Sequence, residues 1–145
     1  MFAGSYPLTV DDKGRLAIPA RFRAQIVEQC GSQLYITRSY QPCVEIYPAP
    51  AFHRVADEIK AMPNRTLADK LSHIFIGNAV DVEMDKQGRV LLPSLLRKTA
   101  RLETDAVLVG QIDRFDLWPE NLWTQKFGEG ADAAALQEAF ASLKR

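Results

Sequence analysis

The nine residues DDKGRLAIP at 11–19 return at 85–93 as DKQGRVLLP. Over 11–23 and 85–97, five of thirteen positions are identical: Asp11 with Asp85, Gly14 with Gly88, Arg15 with Arg89, Pro19 with Pro93 and Arg23 with Arg97. Average composition would give about one match by chance. The apolar positions follow the same offset, with Leu8 facing Val82, Val10 facing Met84, Leu16 facing Val90 and Ile18 facing Leu92. After a small deletion the match resumes, VEIYP at 44–48 against FDLWP at 115–119, and Phe52 against Trp123. Internal duplication on this scale means two copies of one supersecondary unit. A chain of 145 residues has room for about one domain, so the copies are expected to pack as one pseudo-symmetric body. The expected division is 1–64 for the first repeat with its helix and 65–145 for a linking helix, the second repeat and C-terminal helices.

Local patterning predicts the elements of each unit. Val80, Val82 and Met84 alternate with polar residues, and an extended run restarts after Gly88, which reads as a hairpin. Glycine reaches the positive φ such a turn demands, and the aspartate three residues earlier can accept from the turn's amides. Pro19 and Pro93 suit a first helical turn. Phe22, Ile26 and Cys30 then share one helix face, as do Leu96 and Ala100. A strand pair should close each unit, at about 33–38 with 43–47 and 106–111 with 114–118. Further apolar stripes predict helices: Phe52, Val55, Ala56, Ile59 and Met62; Leu67, Leu71 and Phe75; and, beyond the break at Gly128-Glu129-Gly130, Leu136, Ala139, Phe140 and Leu143. All three stripes are expected to be packing faces.

Charge separates along the chain. The totals cancel, 18 basic against 18 acidic, but residues 11–23 hold four bases and two acids, and residues 85–98 hold four bases and one acid. Residues 102–145 carry eight acids and four bases. The local field, not the sum, decides which partner is attracted, so a polyanion remains a candidate. No apolar run approaches the roughly 20 residues of a membrane span, and MFAGSYPLTV has neither a basic n-region nor an h-region. A soluble cytosolic protein without membrane partner is expected. Cys30 and Cys43 lack CxxC or metal-ligand spacing and read as reduced thiols, one on a helix face and one in a hairpin.

The segments MFAGS, DDKGRLAIP…R, LSHIFIGNA, DKQGRVLLP…LR and VLVGQ…FDLWP together resemble the MraZ family over nearly the whole chain and in the family's order. The resemblance implies a β-rich α+β fold: two AbrB-like swapped-hairpin repeats, as in AbrB and MazE, forming one pseudo-two-fold double-split β-barrel with peripheral helices. It implies a bacterial transcriptional regulator, cytoplasmic and nucleoid-associated, acting on the promoter of the division and cell-wall gene cluster. The implied partners are double-stranded DNA bearing short direct repeats and further copies of the chain, in a ring of eight or more subunits. No cofactor or small-molecule substrate is implied. The family's paired D-x-x-x-R signature lands on Asp11 with Arg15 and on Asp85 with Arg89, and Asp116 stands where the family more often has Glu. Gln87 stands where the first copy has Lys13, so the two units need not contact DNA equally.

Physical chemistry supports a cationic site at the turns. With Leu16 and Ile18 buried on one face of a strand, Arg15 must project from the other, toward water or phosphate. A guanidinium fork can grip a phosphate or the O6 and N7 acceptors of guanine bidentately. The alternative is a local ion pair between Asp11 and Arg15 that holds the turn, with the same choice for Asp85 and Arg89. Lys13, Lys86, Arg21, Arg23, Arg97 and Lys98 fit either phosphate contact or a solvated face, and Arg23 and Arg97 also fit intramolecular braces. Asp11, Gly14, Asp85 and Gly88 form the turns. An enzyme is not expected: no G-x-x-x-x-G-K-[ST], G-x-S-x-G or H-E-x-x-H occurs, and His53 and His73 lie on separate predicted helices, as a surface and a helix-flank residue. Metal ligation and a Cys30 nucleophile lack any supporting spacing. The competing readings are an AbrB-like antitoxin and an RNA-binding ring.

Overall fold

Both repeats run strand, charged turn, short strand, helix, strand pair, helix. In the computed structural model, which describes all 145 residues, the first comprises β1 (Ser5–Thr9), β2 (Arg15–Ala17), α1 (Ala20–Cys30), β3 (Gln33–Arg38), β4 (Val44–Pro48) and α2 (Ala49–Lys60). Next come α3 (Arg65–Leu71) and a single π-helical turn, Ser72–Ile76. The second repeat has β5 (Val80–Glu83), β6 (Arg89–Leu91), α4 (Ser94–Thr99), β7 (Asp105–Gly110), β8 (Phe115–Pro119) and α5 (Glu120–Phe127), followed by α6 (Ala133–Ala141). The result is a β-rich α+β fold with antiparallel pairing throughout. The predicted strand pairs fall within a residue or two of β3–β4 and β7–β8. Pro19, Pro48, Pro93 and Pro119 stand at the N-caps of α1, α2, α4 and α5, all with φ between −53° and −58°. Pro19 and Pro93 thus sit one position before the predicted first turn, where the fixed φ aims the chain into the helix.

The hairpin expected at each charged turn exists only at its tip. Asp11 N–H donates to Arg15 O at 2.9 Å, and Asp85 N–H to Arg89 O at 2.9 Å. Beyond these bonds the arms separate and pair with the other repeat. β1 pairs with β7, β5 with β3, and β2 with β6. The six-stranded sheet therefore reads β1-β7-β8-β4-β3-β5, the same order from either end once equivalent strands are matched. A pseudo-two-fold axis passes between Leu16 and Val90 in the β2–β6 ribbon and between Glu45 and Asp116 in the β4–β8 pair, since each residue faces its own counterpart. Local periodicity cannot reveal this exchange, because the strands satisfy the same alternation with either partner.

One face of the large sheet meets the ribbon, α1 and α4 in a core of 20 buried residues drawn from both repeats. Leu16, Ile18, Phe22, Leu34 and Ile46 lie there with their second-repeat counterparts Val90, Leu92, Leu96, Ala106 and Leu117. Phe2, Phe22 and Phe115 form an aromatic knot at its edge, with ring centroids 4.3 to 5.6 Å apart. The opposite face is covered by two smaller clusters: Tyr47, Phe52, Ile59 and Phe75 under α2 and the π turn, and Val107, Val109 and Trp118 beside α5.

One predicted packing face is packed only in part, and another is not packed. On α3 and the π turn, Ala68 and Phe75 are buried, while Leu67 and Leu71 are exposed. Ala68 and Phe75, seven residues apart, share the buried face, one position off the Leu67–Leu71 line. On α6 no residue is buried, and Leu136, Phe140 and Leu143 each expose about half their surface. Helical spacing specifies that a face is apolar, not what covers it. No helix is long and apolar enough to cross a membrane.

Candidate nucleic-acid interface

The β2–β6 ribbon carries the charged turns at its two ends. Gly14 has φ +86° and Gly88 +79°, the left-handed conformation that favours glycine. At the first tip, Asp11 Oδ1 accepts from the backbone N–H groups of Lys13 and Arg15 at 3.0 and 2.8 Å, and Asp11 Oδ2 accepts from Arg15 Nε at 2.9 Å. At the second, Asp85 Oδ1 accepts from Gln87 and Arg89 N–H at 2.9 and 2.8 Å, and Asp85 Oδ2 from Arg89 Nε at 2.9 Å. Each corresponding pair of distances agrees within 0.1 Å, so one arrangement occurs twice.

The local ion pair and the outward guanidinium are therefore compatible. Asp11 and Asp85 hold Arg15 and Arg89 by Nε alone, while the terminal Nη groups have no partner within the chain. The arginine side chains stay 36% and 40% exposed. Each carboxylate clamps the stem of a fork whose prongs face solvent, which reduces the rotamer entropy lost on gripping an anion. The backbone N–H of Arg15 is the main reason that the Asp11 carboxyl lies below the usual carboxylate range. Slight desolvation opposes it, and the Arg15 guanidinium and Lys13 N–H add to the lowering. Asp85 is lowered likewise, first by Arg89 N–H. At neutral pH both clamps are ionised.

The surrounding cations divide by what they touch. Lys13, Lys86 and Lys98 are exposed, and no ammonium among them has an acidic partner. Arg21 is exposed but its Nη1 donates to Tyr6 Oη at 2.7 Å, and its guanidinium lies over the Phe22 ring, 5.1 Å from the centroid. Arg23 Nε donates to Ile18 O at 2.8 Å, and its side chain lies against Gly88, where an added Cβ would collide with Nε. Arg97 donates from Nε to Leu102 O at 3.1 Å and from Nη2 to Glu103 O at 2.9 Å, with Nη1 3.5 Å from Asp11 O. Arg23 thus braces the second tip from the first repeat, and Arg97 the first tip from the second. The ribbon closes the arrangement, Ile18 N–H donating to Gly88 O and Leu92 N–H to Gly14 O, both at 2.8 Å.

A family model described as "MraZ protein, putative antitoxin-like" matches this sequence twice, over residues 1–73 and 75–143. The chain belongs to the MraZ family. Relatives from Pseudomonas aeruginosa and Pseudomonas putida, each named Transcriptional regulator MraZ, are 39% identical over 140 residues, covering 95% of this chain and 91% of the relative. A solution structure from Pyrococcus horikoshii aligns with TM-score 0.36 and 13% identity, over 81% of this chain and 88% of that one, too slight a likeness to bear on fold or function.

A second polar constellation escaped the sequence reading. On the far face of the sheet, Arg114 Nε lies 3.0 Å from Asp116 Oδ1 and 3.9 Å from Glu45 Oε2. Tyr47 Oη donates to Glu45 Oε1 at 2.8 Å. Burial alone works to lower the Arg114 pKa, but its hydrogen bond to Asp116 and the charges of Asp116 and Glu45 outweigh that and raise it. Burial, reinforced by the Glu45 charge, raises Tyr47. These groups join the two repeats at the pseudo-axis. Each acid sits in a strand whose five residues are all buried, so a polar residue at a strand position did not mean exposure. Cys43 is buried and its thiol is pushed up to about 12 by that burial, while Cys30 is half-buried. His53 and His73 are both exposed, and no three His, Cys, Asp or Glu side chains gather in metal-binding geometry.

Proposed function

We propose that this chain is a sequence-specific DNA-binding transcriptional regulator that acts on the promoter of the division and cell-wall gene cluster. One observation carries the reading: two equivalent arginines, each clamped at Nε by an aspartate, present open guanidinium prongs at opposite ends of the β2–β6 ribbon. Such prongs match phosphate oxygens and the guanine edge. The relatives' shared name, Transcriptional regulator MraZ, supports the same reading. Arg15 and Arg89 are the principal contacts. Lys86, Arg21 and Lys98 grip backbone beside them, Lys13 adds a further contact at the first tip, and Arg23 and Arg97 contribute by holding the tips in place.

The fold reading that goes with this function is of two swapped-hairpin repeats, 1–64 and 65–145, closing as a double-split barrel. The exchange of β1 and β5 between repeats supports it. The working form is a ring of eight or more copies, in the cytoplasm and associated with the nucleoid. One protomer offers few cations, whereas a ring makes successive contacts intramolecular, so direct repeats about one helical turn apart are read together. The uncovered stripes on α3 and α6 are surface that another copy can bury. Footprinting on the promoter upstream of the protein's own gene, with light scattering to count subunits, tests the proposal. Protection of evenly spaced short repeats by a ring-sized particle is the expected result, and binding indifferent to repeat spacing would refute it. Competition with tRNA across a salt series separates duplex DNA from RNA, and an antitoxin would bind a toxin chain through α6 instead.

A further inference from the structure

The two tips share backbone, glycine, aspartate and arginine, and differ at two residues. The first reads Asp11-Asp12-Lys13-Gly14-Arg15 and the second Asp85-Lys86-Gln87-Gly88-Arg89. Lys13 and Gln87 occupy the same apex position, and each has its backbone N–H fixed by the preceding aspartate, at 3.0 and 2.9 Å. Both side chains are exposed, and neither the Lys13 ammonium nor the Gln87 amide bonds to any group of the chain. Two equally aimed positions thus carry different hydrogen-bonding chemistry.

An ammonium is donor only, whereas a carboxamide donates and accepts at once. In the major groove, guanine offers two acceptors, O6 and N7, which suit lysine. Adenine offers an acceptor and a donor side by side, N7 and N6–H2, which suit glutamine bidentately. Asp12 and Lys86 strengthen the contrast, since an acid beside Lys13 disfavours a phosphate there while Lys86 beside Gln87 favours one. The pairing Leu16 with Val90 centres the ribbon, so the glycines lie four ribbon residues apart and Lys13 and Gln87, one residue further out at each end, up to six, a span of about 14 to 20 Å at ~3.4 Å per residue. That spans about four to six base steps, at ~3.4 Å each. A β-ribbon of this kind fits the major groove, and its two ends then meet different base pairs of one short box.

We propose that the reading head is directional: Lys13 at one tip selects a guanine edge and Gln87 at the other an adenine edge, so each chain accepts its box in one orientation only. The inference rests on the DNA-binding reading above and deepens it. It supplies a physical reason for direct rather than inverted repeats, because an asymmetric head carried round a ring points every box the same way.

Selection from randomised duplexes by the full-length protein tests it, with Gln87→Lys, Lys13→Gln and the double exchange run in parallel and circular dichroism as a check on folding. The wild-type motif should place a guanine and an adenine about four to six base pairs apart. Gln87→Lys should change the adenine position to guanine by about tenfold or more in preference, Lys13→Gln should do the reverse at the other position, and the double exchange should turn the box end for end. A wild-type motif that persists unchanged in all three variants would overturn the inference and leave the DNA-binding reading standing. Loss of all binding in both single variants would assign these side chains to phosphate grip and overturn it too. A wild type that selects no motif at all would remove the underlying reading as well.

Discussion

The ribbon and the far face of the sheet lie on the same pseudo-axis, yet treat the duplication in opposite ways. At the ribbon tips the turn bonds of the two copies match, down to Asp11 with Asp85 clamping Arg15 and Arg89 at 2.9 Å. On the far face the copies have parted. Arg114 occupies the position equivalent to Cys43, and Trp118 that equivalent to Tyr47. The two axial acids therefore find different partners, Asp116 the guanidinium and Glu45 mainly the phenol. Symmetry persists where both copies face outward at equivalent tips. It is lost where one half-buried cation suffices for two facing carboxylates.

The largest break in that comparison should come from the far face. Arg114→Met leaves Glu45 and Asp116 facing each other in a site where their side chains are 10% and 8% exposed. Stranding buried charge of this kind costs about 3 kcal/mol, to be read from urea unfolding, and duplex DNA affinity per folded molecule should not change. Glycine at the tips gives the next largest effect, and unequal effects despite the matching φ. Gly14→Ala meets left-handed strain of about 1 to 2 kcal/mol, with Leu92 O at 3.3 Å from the new Cβ. Gly88→Ala carries the same strain and also displaces Arg23 from its bond to Ile18 O, for a total of about 2 to 3 kcal/mol. Equal losses in the two variants would deny the brace.

Acid titration sharpens the symmetric side and is the smallest effect. The folded-state pKa values of Asp11 and Asp85 are depressed, so their stabilisation is present above the unfolded carboxylate pKa of about 3.9 and is lost as pH falls through the lower folded values. The Asp11→Asn, Asp85→Asn double variant should be less stable than the parent at neutral pH. The gap in thermal midpoint should narrow as pH drops below about 4. A gap that is constant with pH would show that the carboxylates do not act through their charge.

What the sequence disclosed follows the range of the forces involved. The charged tips, their glycines and the strands β3–β4 and β7–β8 rest on contacts within a few residues, and repeat and alternation expose them directly. The pairing of β1 with β7 and β5 with β3 is non-local, and local strand patterning does not specify it. Leu67, Leu71, Leu136 and Phe140 form true apolar stripes, but whether a stripe is covered depends on neighbours that periodicity does not encode. Glu45 and Asp116 are charged residues in strands β4 and β8, yet they are buried, because helices cover that side of the sheet as well.

The account turns on the open prongs of Arg15 and Arg89. Fluorescence-anisotropy titration of a promoter duplex with Arg15→Ala, Arg89→Ala and the double variant, beside circular dichroism and light scattering, tests it most directly. Each single change should weaken specific binding by about tenfold or more. The double change should leave only weak, steeply salt-dependent association, with helix content and particle size intact. A double variant that binds the promoter as the parent does, or one that loses its fold, would contradict the account and return both arginines to a purely structural role.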